Sequence, residues 1–441
     1  MNIIIAGAGR VGYRLAGTLS HRHNVTIIDQ RPSALQQLQE SIDVFTIAGN
    51  IEDPDTYAPL KNRRFDIFIA VTDSDEANIL STLIAGDVIV ADRKIIRLKN
   101  PYFADSTIAG KLGISTAVFP FSSAAKSISA LLDFPQANNV KSFIYTSFLM
   151  ISVFVDEAPD EGIPVSQFIH ETSVVVGLEH DKRFTLPEKE TVLQRGDLVY
   201  FFGDPDTLRA YCARLNPSVP DRISRVAIFD ADLLGLEIAK ALIPKGVQLK
   251  IIDNQIEKCE HASELLQEKA TVINSHYIEH TLFDNEHVGR ADMAIFTSKE
   301  DEENIIRSLE AKERGITRTV AINNDLERYQ LMHSLGITAI RGPKSSAYYT
   351  ILEKISSSSI ISERHYCGGK GLIYSRKIFP DSSLLEKMVK PPDPKRCRCF
   401  LFRDDLLLPW VAKLQLHRDD VLFVFVDAEN EEVIKQWIYT L

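Results

Sequence analysis

The chain is written twice. From residue 226, "VAIFDADLLGLEIAKAL" follows the pattern of "IIIAGAGRVGYRLAGTL" at the N-terminus. "QLKIID" then answers "NVTIID", "TVIN" answers "TIAG", and "ADMAIFTSKEDEENII" answers "FDIFIAVTDSDEANIL". "GPKSSA" repeats "FPFSSA", and "HRDDVLFVFVD" repeats "QRGDLVYFFGD". The offset stays at about 223 to 226 residues in a chain of 441. This is a tandem duplication of one large module, not the short period of a solenoid. Whatever fold the first half takes, the second must take as well.

The first half alternates strands and helices. Ile3, Ile4 and Ile5 form an unbroken β-branched run, as a strand buried on both faces requires. Residues 13–19 are helix formers, and "NVTIID" is a second buried strand ending in an acid. "VFTIAGN", "FDIFIAVTD" and "KIIRLKN" continue the series, which predicts right-handed βαβ units and a parallel sheet. After "SAAKSISALLDFP" (123–135) the strands become short and alternating, predicting a small α+β lobe. "NPSVPDR" (216–222), with two prolines, joins the halves, and "SSSSI" (356–360) marks the matching lobe boundary in the second. The expected division is therefore 1–134 Rossmann-like domain, 135–216 lobe, 217–224 linker, 225–356 second Rossmann-like domain and 357–441 second lobe.

Composition removes several functions. A net charge of −10 argues against a basic nucleic-acid-binding surface, so no nucleic-acid partner is expected. The longest apolar runs are strand-length, far short of the roughly 20 residues a bilayer needs. "MNIIIAGAGR" lacks the basic start and cleavage site of a signal peptide, and five cysteines do not make a disulfide framework. A cytosolic protein is expected.

Chemistry concentrates at Gly7-Ala8-Gly9-Arg10-Val11-Gly12, a G-x-G-x-x-G that follows a buried strand and opens a helix. Gly7 permits the tight turn, Gly9 lets a pyrophosphate approach helix-start amides, and Gly12 lets helix and strand pack closely. Asp29 ends the second strand seventeen residues later, where a carboxylate accepts ribose hydroxyls and favours NAD(H) or an adenosine nucleotide. Arg31 pulls the other way, towards NADP. Arg10 has two readings, a phosphate contact or a solvated loop arginine. Thr72 and Asp73 border the expected cleft, or else belong to a helix N-cap with acids in its first turn. Arg97 ends the fifth strand, facing phosphates or plain surface.

The second copy replaces Gly7 by Asp230 and Gly9 by Asp232, keeping only Gly235. Two carboxylates would repel a pyrophosphate at close range, so this module keeps the fold and loses the dinucleotide. Asp253 reads as a relic of the ribose acid. A cation between Asp230 and Asp232 is the alternative, but two acids do not complete an oxygen cage. His276 and His280, four apart, read as a solvated helix face. His365, Cys367, Cys397 and Cys399 have poor zinc spacing, and Cys397 and Cys399 would share one strand face as packing.

"IIIAGAGRVG…TIID…AVTDSDEANIL…FPFSSAAKSISALL", doubled and with a lobe after each copy, resembles the TrkA family. Its members are cytosolic regulatory subunits of bacterial Trk potassium uptake systems. The resemblance implies an α/β architecture of tandem Rossmann-like RCK (KTN) domains with parallel sheets, each followed by a small α+β RCK-C (TrkA-C) lobe. It implies NAD(H) as ligand, with ATP/ADP at the same first-module site. It also implies assembly into a homo-oligomer, dimer or tetrameric ring, at the inner face of the cell membrane. The partner would be a membrane-embedded Trk-type potassium channel subunit. Carried onto this chain, Gly7, Gly9, Arg10, Val11 and Gly12 would line the phosphates, and Asp29 with Gln30 the ribose. Thr72, Asp73 and Arg97 fall at cleft positions. Asn50 departs from the family's usual Asp on the adenine side. The helix within 122–134, with Ile128, Leu131 and Leu132 on its apolar face, is expected to pack on a partner subunit. The competing function is an NAD-dependent oxidoreductase, which would need a proton shuttle the sequence does not offer. A ligand-free scaffold is opposed by the intact glycine loop.

Overall fold

Ile3, Ile4 and Ile5 have no exposed surface, because their strand is the centre of a six-stranded sheet. That sheet comprises β1 (Asn2–Ala6), β2 (Asn24–Asp29), β3 (Phe45–Ala48), β4 (Arg64–Ala70), β5 (Val90–Arg97) and β6 (Thr116–Val118). Their order is β3-β2-β1-β4-β5-β6 and every ladder is parallel. The order reverses between β1 and β4, and a cleft opens outside the carboxyl ends of strands at such a point. Helices α1 (Arg10–Ser20), α2 (Pro32–Ser41) and α3 (Asp75–Val88) connect the strands.

The second copy builds the same sheet. Its strands Thr271–Asn274, Gln248–Asp253, Arg225–Phe229, Met293–Phe296, Arg318–Asn323 and Thr338–Arg341 lie side by side in that order. One detail of the written match is corrected. Asp29 pairs with Ala48 and Asp253 with Asn274, so Thr271–Asn274 stands where Phe45–Ala48 stands, one residue off "TVIN" against "TIAG". The ladder fixes the register, not the letters. Gly49 and Ser275 each donate from the backbone to the carbonyl of the preceding strand's acid, at 3.1 and 3.0 Å.

A computed structural model of the chain describes residues 1–61, 63–103, 108–143, 145–275, 280–356 and 361–441. Two units result, 1–124 with 341–355, and 125–340 with 356–441. The first half thus places most of one helix and its whole lobe in the second unit, and the second half places a helix in the first. The helix Pro343–Ser356, written in the second half, belongs largely to the first unit, where the Tyr348 hydroxyl meets Thr18 Oγ1 at 2.8 Å. The Arg14 guanidinium lies 4.1 Å over the Tyr348 ring.

The lobes are five-stranded antiparallel sheets of one topology. The first runs Arg183–Thr185, Ser173–His180, Leu198–Gly203, Thr146–Phe154 and Ala137–Phe143 in spatial order. The second runs Leu406–Pro409, Cys397–Arg403, Val421–Asp427, Gly371–Lys377 and Ile361–Tyr366. A helix closes each, Pro205–Leu215 and Glu431–Thr440. Both sheets contribute to one aromatic core, where Phe202 and Phe423 stand 4.7 Å apart between ring centres. His276 and residues 357–360 of the "SSSSI" stretch lie outside the described residues.

Candidate functional site

Each glycine of the loop answers to a different constraint. Gly7 has φ +109°, and a Cβ there would sit 3.0 Å from Thr72 Cγ2. Gly12 is fixed by packing, since its Cβ would lie 1.8 Å from the Gly7 carbonyl oxygen. Gly9, the N-cap of α1, has an ordinary extended backbone (φ −71°, ψ −176°), and a Cβ on it would meet no protein atom within 4 Å.

Asp29 pins the loop. Its carboxylate accepts from the Ala8 amide (2.7 Å), the Arg31 amide (2.8 Å) and two nitrogens of the Arg31 guanidinium (3.0 and 3.1 Å). Those four bonds fill its acceptor sites. Burial pushes this carboxyl up, but the Arg31 side chain and the two amides outweigh burial and hold it below its ordinary value.

Across the cleft, Arg97 is buried and donates to Asp73 Oδ1 (2.9 Å) and to the Thr72 carbonyl (3.3 Å). Burial raises the Asp73 carboxyl, yet Arg97, Lys99 and Lys344 together hold it low. Thr72 is tied into the start of α3: the fully buried Asn78 accepts from its amide and hydroxyl at 2.8 Å each. Asn78 also donates to the Thr72 and Arg97 carbonyls. Ser74 caps α3 through the Ala77 amide, with Asp75 and Glu76 in the first turn. The capping reading of this stretch is therefore realised beside the cleft-lining one.

These residues enclose a cleft of about 710 Å³. Ten of the eleven sequence candidates border it, namely Gly7, Gly9, Arg10, Val11, Asp29, Gln30, Asn50, Thr72, Asp73 and Arg97. Gly12 is the eleventh and lies behind the Gly7 backbone. Asn50 spends its side-chain oxygen on the Glu52 amide at 3.1 Å. Sequence reading missed Lys344, which reaches this cleft from the helix Pro343–Ser356 more than 240 residues beyond α3. The signal was small: "GPKSSA" puts a lysine where "FPFSSA" has a phenylalanine.

The second copy fills the same place with ion pairs. Asp230 keeps the turn's left-handed backbone at φ +81°, a strained setting for any residue but glycine. Both its oxygens accept from buried Arg307 at 3.2 Å, and Arg307 also meets Glu303. Burial keeps the Asp230 carboxyl above its usual range despite Arg307. Asp232, the N-cap counterpart of Gly9, pairs with Lys258 at 2.9 Å instead of capping its helix. With a base on each acid, neither offers a cation site, and no metal-ligating cluster occurs among the described residues. Asp253 is no mere relic: it accepts from the Ala231 amide (2.8 Å) and the Gln255 amide (2.9 Å), the same two bonds Asp29 makes.

Two further expectations resolve as packing. Cys397 and Cys399 share one strand face, their sulfurs 3.6 Å apart in the core of the second lobe, while Cys367 belongs to the aromatic core between the lobes. The helix Pro120–Leu131 requires a correction: Ile128 and Leu131 are fully buried inside this single chain, while Leu132 stays partly exposed. Ser129 donates to the Ala241 carbonyl at 3.2 Å, so the chain's own second copy lies against this helix. Duplication makes the pairing intramolecular, at high effective concentration. Among the described residues, no helix is long and apolar enough to cross a membrane.

Comparison with known proteins agrees with this architecture. The TrkA-N domain family matches residues 3–120 and 226–343, and the TrkA-C domain family matches 149–216. A Trk system potassium uptake protein TrkA homolog of Archaeoglobus fulgidus is 29% identical over 364 residues, 82% of each chain. The Trk system potassium uptake protein TrkA of Azorhizobium caulinodans is 23% identical over 407 residues, covering 89% of this chain and 88% of its own. Among solved structures, the GsuK RCK domain superposes with a TM-score of 0.62 at 17% identity, over 100% of this chain and 95% of that one. The GsuK channel bound to NAD gives 0.62 at 18%, over 100% and 79%. With both copies of its Rossmann-like module matched and a lobe of the same topology after each, the chain belongs to the TrkA family.

Proposed function

We propose that the first cleft binds NAD(H) or an adenosine nucleotide, and that binding there regulates a membrane-embedded potassium-conducting partner of Trk type. Gly9 is the observation that carries this reading. Its backbone is open to any residue and no protein atom limits a side chain on it, so neither conformation nor packing calls for glycine. A diphosphate against the unpaired first amides of α1 does call for it. The second copy, with nearly the same backbone at Asp232 (φ −69°, ψ 172°), shows that the fold accepts a side chain here.

Charge supports the same ligand. Arg10, Arg31, Arg97 and Lys344 border the cleft, and Nε of buried Arg97 has no hydrogen-bond partner among the described atoms. An unmet buried donor costs about 1–3 kcal/mol, which a phosphate oxygen would recover. Ribose hydroxyls would reach Asp29 by displacing the exposed Arg31 guanidinium. GsuK has been solved bound to NAD and bound to ADP, which fits this reading, as do the Trk potassium uptake proteins among the relatives. The chain would work as a cytoplasmic homo-oligomer held at the inner membrane face by its partner, not as an enzyme. The Asp29 and Asp73 carboxylates in the cleft are both held low by arginines, a poor setting for proton transfer.

Calorimetric and thermal-shift titration with NADH, NAD, ATP and ADP tests the proposal. Wild type should saturate with at least one of them and gain roughly 2–3 kcal/mol at a hundredfold excess over Kd. Gly9→Asp should keep its ligand-free midpoint and lose the response. An unchanged response in that variant would move the sensor elsewhere, and NADH turnover by the wild type would favour the oxidoreductase.

A further inference from the structure

A second cleft, of about 670 Å³, lies within the other unit between the first lobe and the second Rossmann-like sheet. Two of the residues lining it are buried polar groups left incomplete. Arg318, at the start of its strand, is 4% exposed and has no carboxylate partner among the described residues. It donates through Nη2 to the Ala137 carbonyl, while its Nε meets no acceptor among the described residues. Asn138 is also 4% exposed, and its Nδ2 has no acceptor among the described residues. Asn138 sits where the pairing of its strand slips a register between Ala137 and Asn139, a bulge of the kind that re-aims a side chain.

The Ala137 carbonyl, at the start of a strand of the first lobe, occupies only one donor of Arg318. In the first copy Arg93 holds the corresponding strand position and donates to the Lys354 carbonyl, but Arg93 is only half-buried. Arg318 has lost that access to water, and burial brings its guanidinium down to about 10. A buried, unneutralised cation is among the costliest groups a protein can carry. The acids at the cleft do not relieve it: Glu179 is held by Lys370 at 2.6 Å, and Asp181 is exposed beside His180. Asp156 faces Arg195 at 3.9 Å. One part of the wall is aromatic, with the His333 ring 4.1 Å from Tyr329 and 5.0 Å from Phe154 between centres, and Lys182 and Lys312 add positive charge to the rest.

We propose that this cleft is a second ligand site, taking a small organic oxyanion whose oxygens meet Arg318 and Asn138 while its flat body lies against Tyr329, His333 and Phe154. The site is independent of the nucleotide cleft and uses none of its residues. It would give the second half a ligand of its own, although its glycine loop has been given over to ion pairs.

The probe is 4-bromobenzoate, whose bromine locates it by anomalous scattering in crystals of the full chain. The expected result is a bromine peak beside the Tyr329–His333 rings, with the carboxylate within hydrogen-bond distance of Arg318 or Asn138. Calorimetry should then show at least about a tenfold loss of affinity in Arg318→Gln, partly restored by Arg318→Lys, as expected for a charge-assisted bond. Acetate should bind more weakly than benzoate. Absence of a peak in the wild-type cleft, or equal affinity in Arg318→Gln, would overturn the proposal. If Arg318→Gln does not fold, Asn138→Ala takes its place under the same criterion. Equal binding of acetate and benzoate would remove the aromatic wall from it.

Discussion

At the scale of single residues, the two copies separate what the fold needs from what the site needs. Asp29 and Asp253 make the same bonds to a loop amide and to their own chain two residues on, although only one stands beside an intact glycine loop. The acid at the end of the second strand is therefore first a support of the turn. The ribose role proposed for Asp29 would come on top of that. Asp29→Asn should cost about 1–3 kcal/mol at neutral pH, the range for a charged hydrogen-bond acceptor lost from a buried site. Because the folded carboxyl is held low, its contribution is present above the unfolded value of roughly 4 and fades as pH falls through the folded one. Urea midpoints of the two proteins should accordingly draw together as the pH falls from the unfolded value through the lower folded one. A gap that stayed constant over that fall would mean the carboxylate charge is not what holds the loop.

At the scale of elements, the stretch "AVTDSDEAN" carried two readings, and the helix it opens accommodates both. Asn78 and its counterpart Asn304 are fully buried and tie the start of a helix to the ends of two strands. Asn78 donates to the Thr72 and Arg97 carbonyls, and Asn304 to the Ser298 and Ile322 carbonyls. The motif around Asn78 is mainly a latch, which is why the second copy keeps it without keeping the glycines. Asn78→Ala and Asn304→Ala should each cost about 1–3 kcal/mol, since each removes the side-chain bonds to a strand-end carbonyl (Arg97 or Ile322) and to an amide (Thr72 or Ser298), while the Thr72 and Ser298 carbonyls keep a second donor. Only the first should also weaken nucleotide binding, because Arg97 and Thr72 border the cleft and Ile322, at the position equivalent to Arg97, offers no charge. Equal effects of the two variants on binding would contradict the assignment of the site to the first copy. The alternation of strands and helices, and with it a parallel sheet, was legible in the periodicities. The one-residue slip at Thr271–Asn274 was not, because the intervening connection is longer in the second copy and similarity of letters does not see a ladder.

For the whole molecule, duplication turns what would be an interface between two chains into an interior. The helix Pro343–Ser356 belongs with the first unit, where Tyr348 is held by Thr18 and Arg14 and where Lys344 borders the cleft. A change in the second half of the sequence should therefore act on the first. Tyr348→Ala is expected to destabilise the first unit by about 3–5 kcal/mol, as for other buried aromatics. Faster amide exchange along α1, followed by mass spectrometry, is the readout. Exchange confined to the mutated helix itself would show that α1 does not depend on it.

The duplicated pattern of runs, turns and acids already carried the two parallel sheets, the intact first loop and the disabled second. Each of these follows from local rules: burial on both faces, positive φ at a turn, like charge beside a phosphate. Lys344, the covered face of Ile128 and Leu131, and the stranded Arg318 were out of reach, because they depend on segments up to hundreds of residues apart being brought together. No spacing along the chain encodes which half covers which helix, or which buried charge meets no carboxylate among the described residues. Packing settles both, since burial and electrostatic neutralisation are properties of neighbours in space.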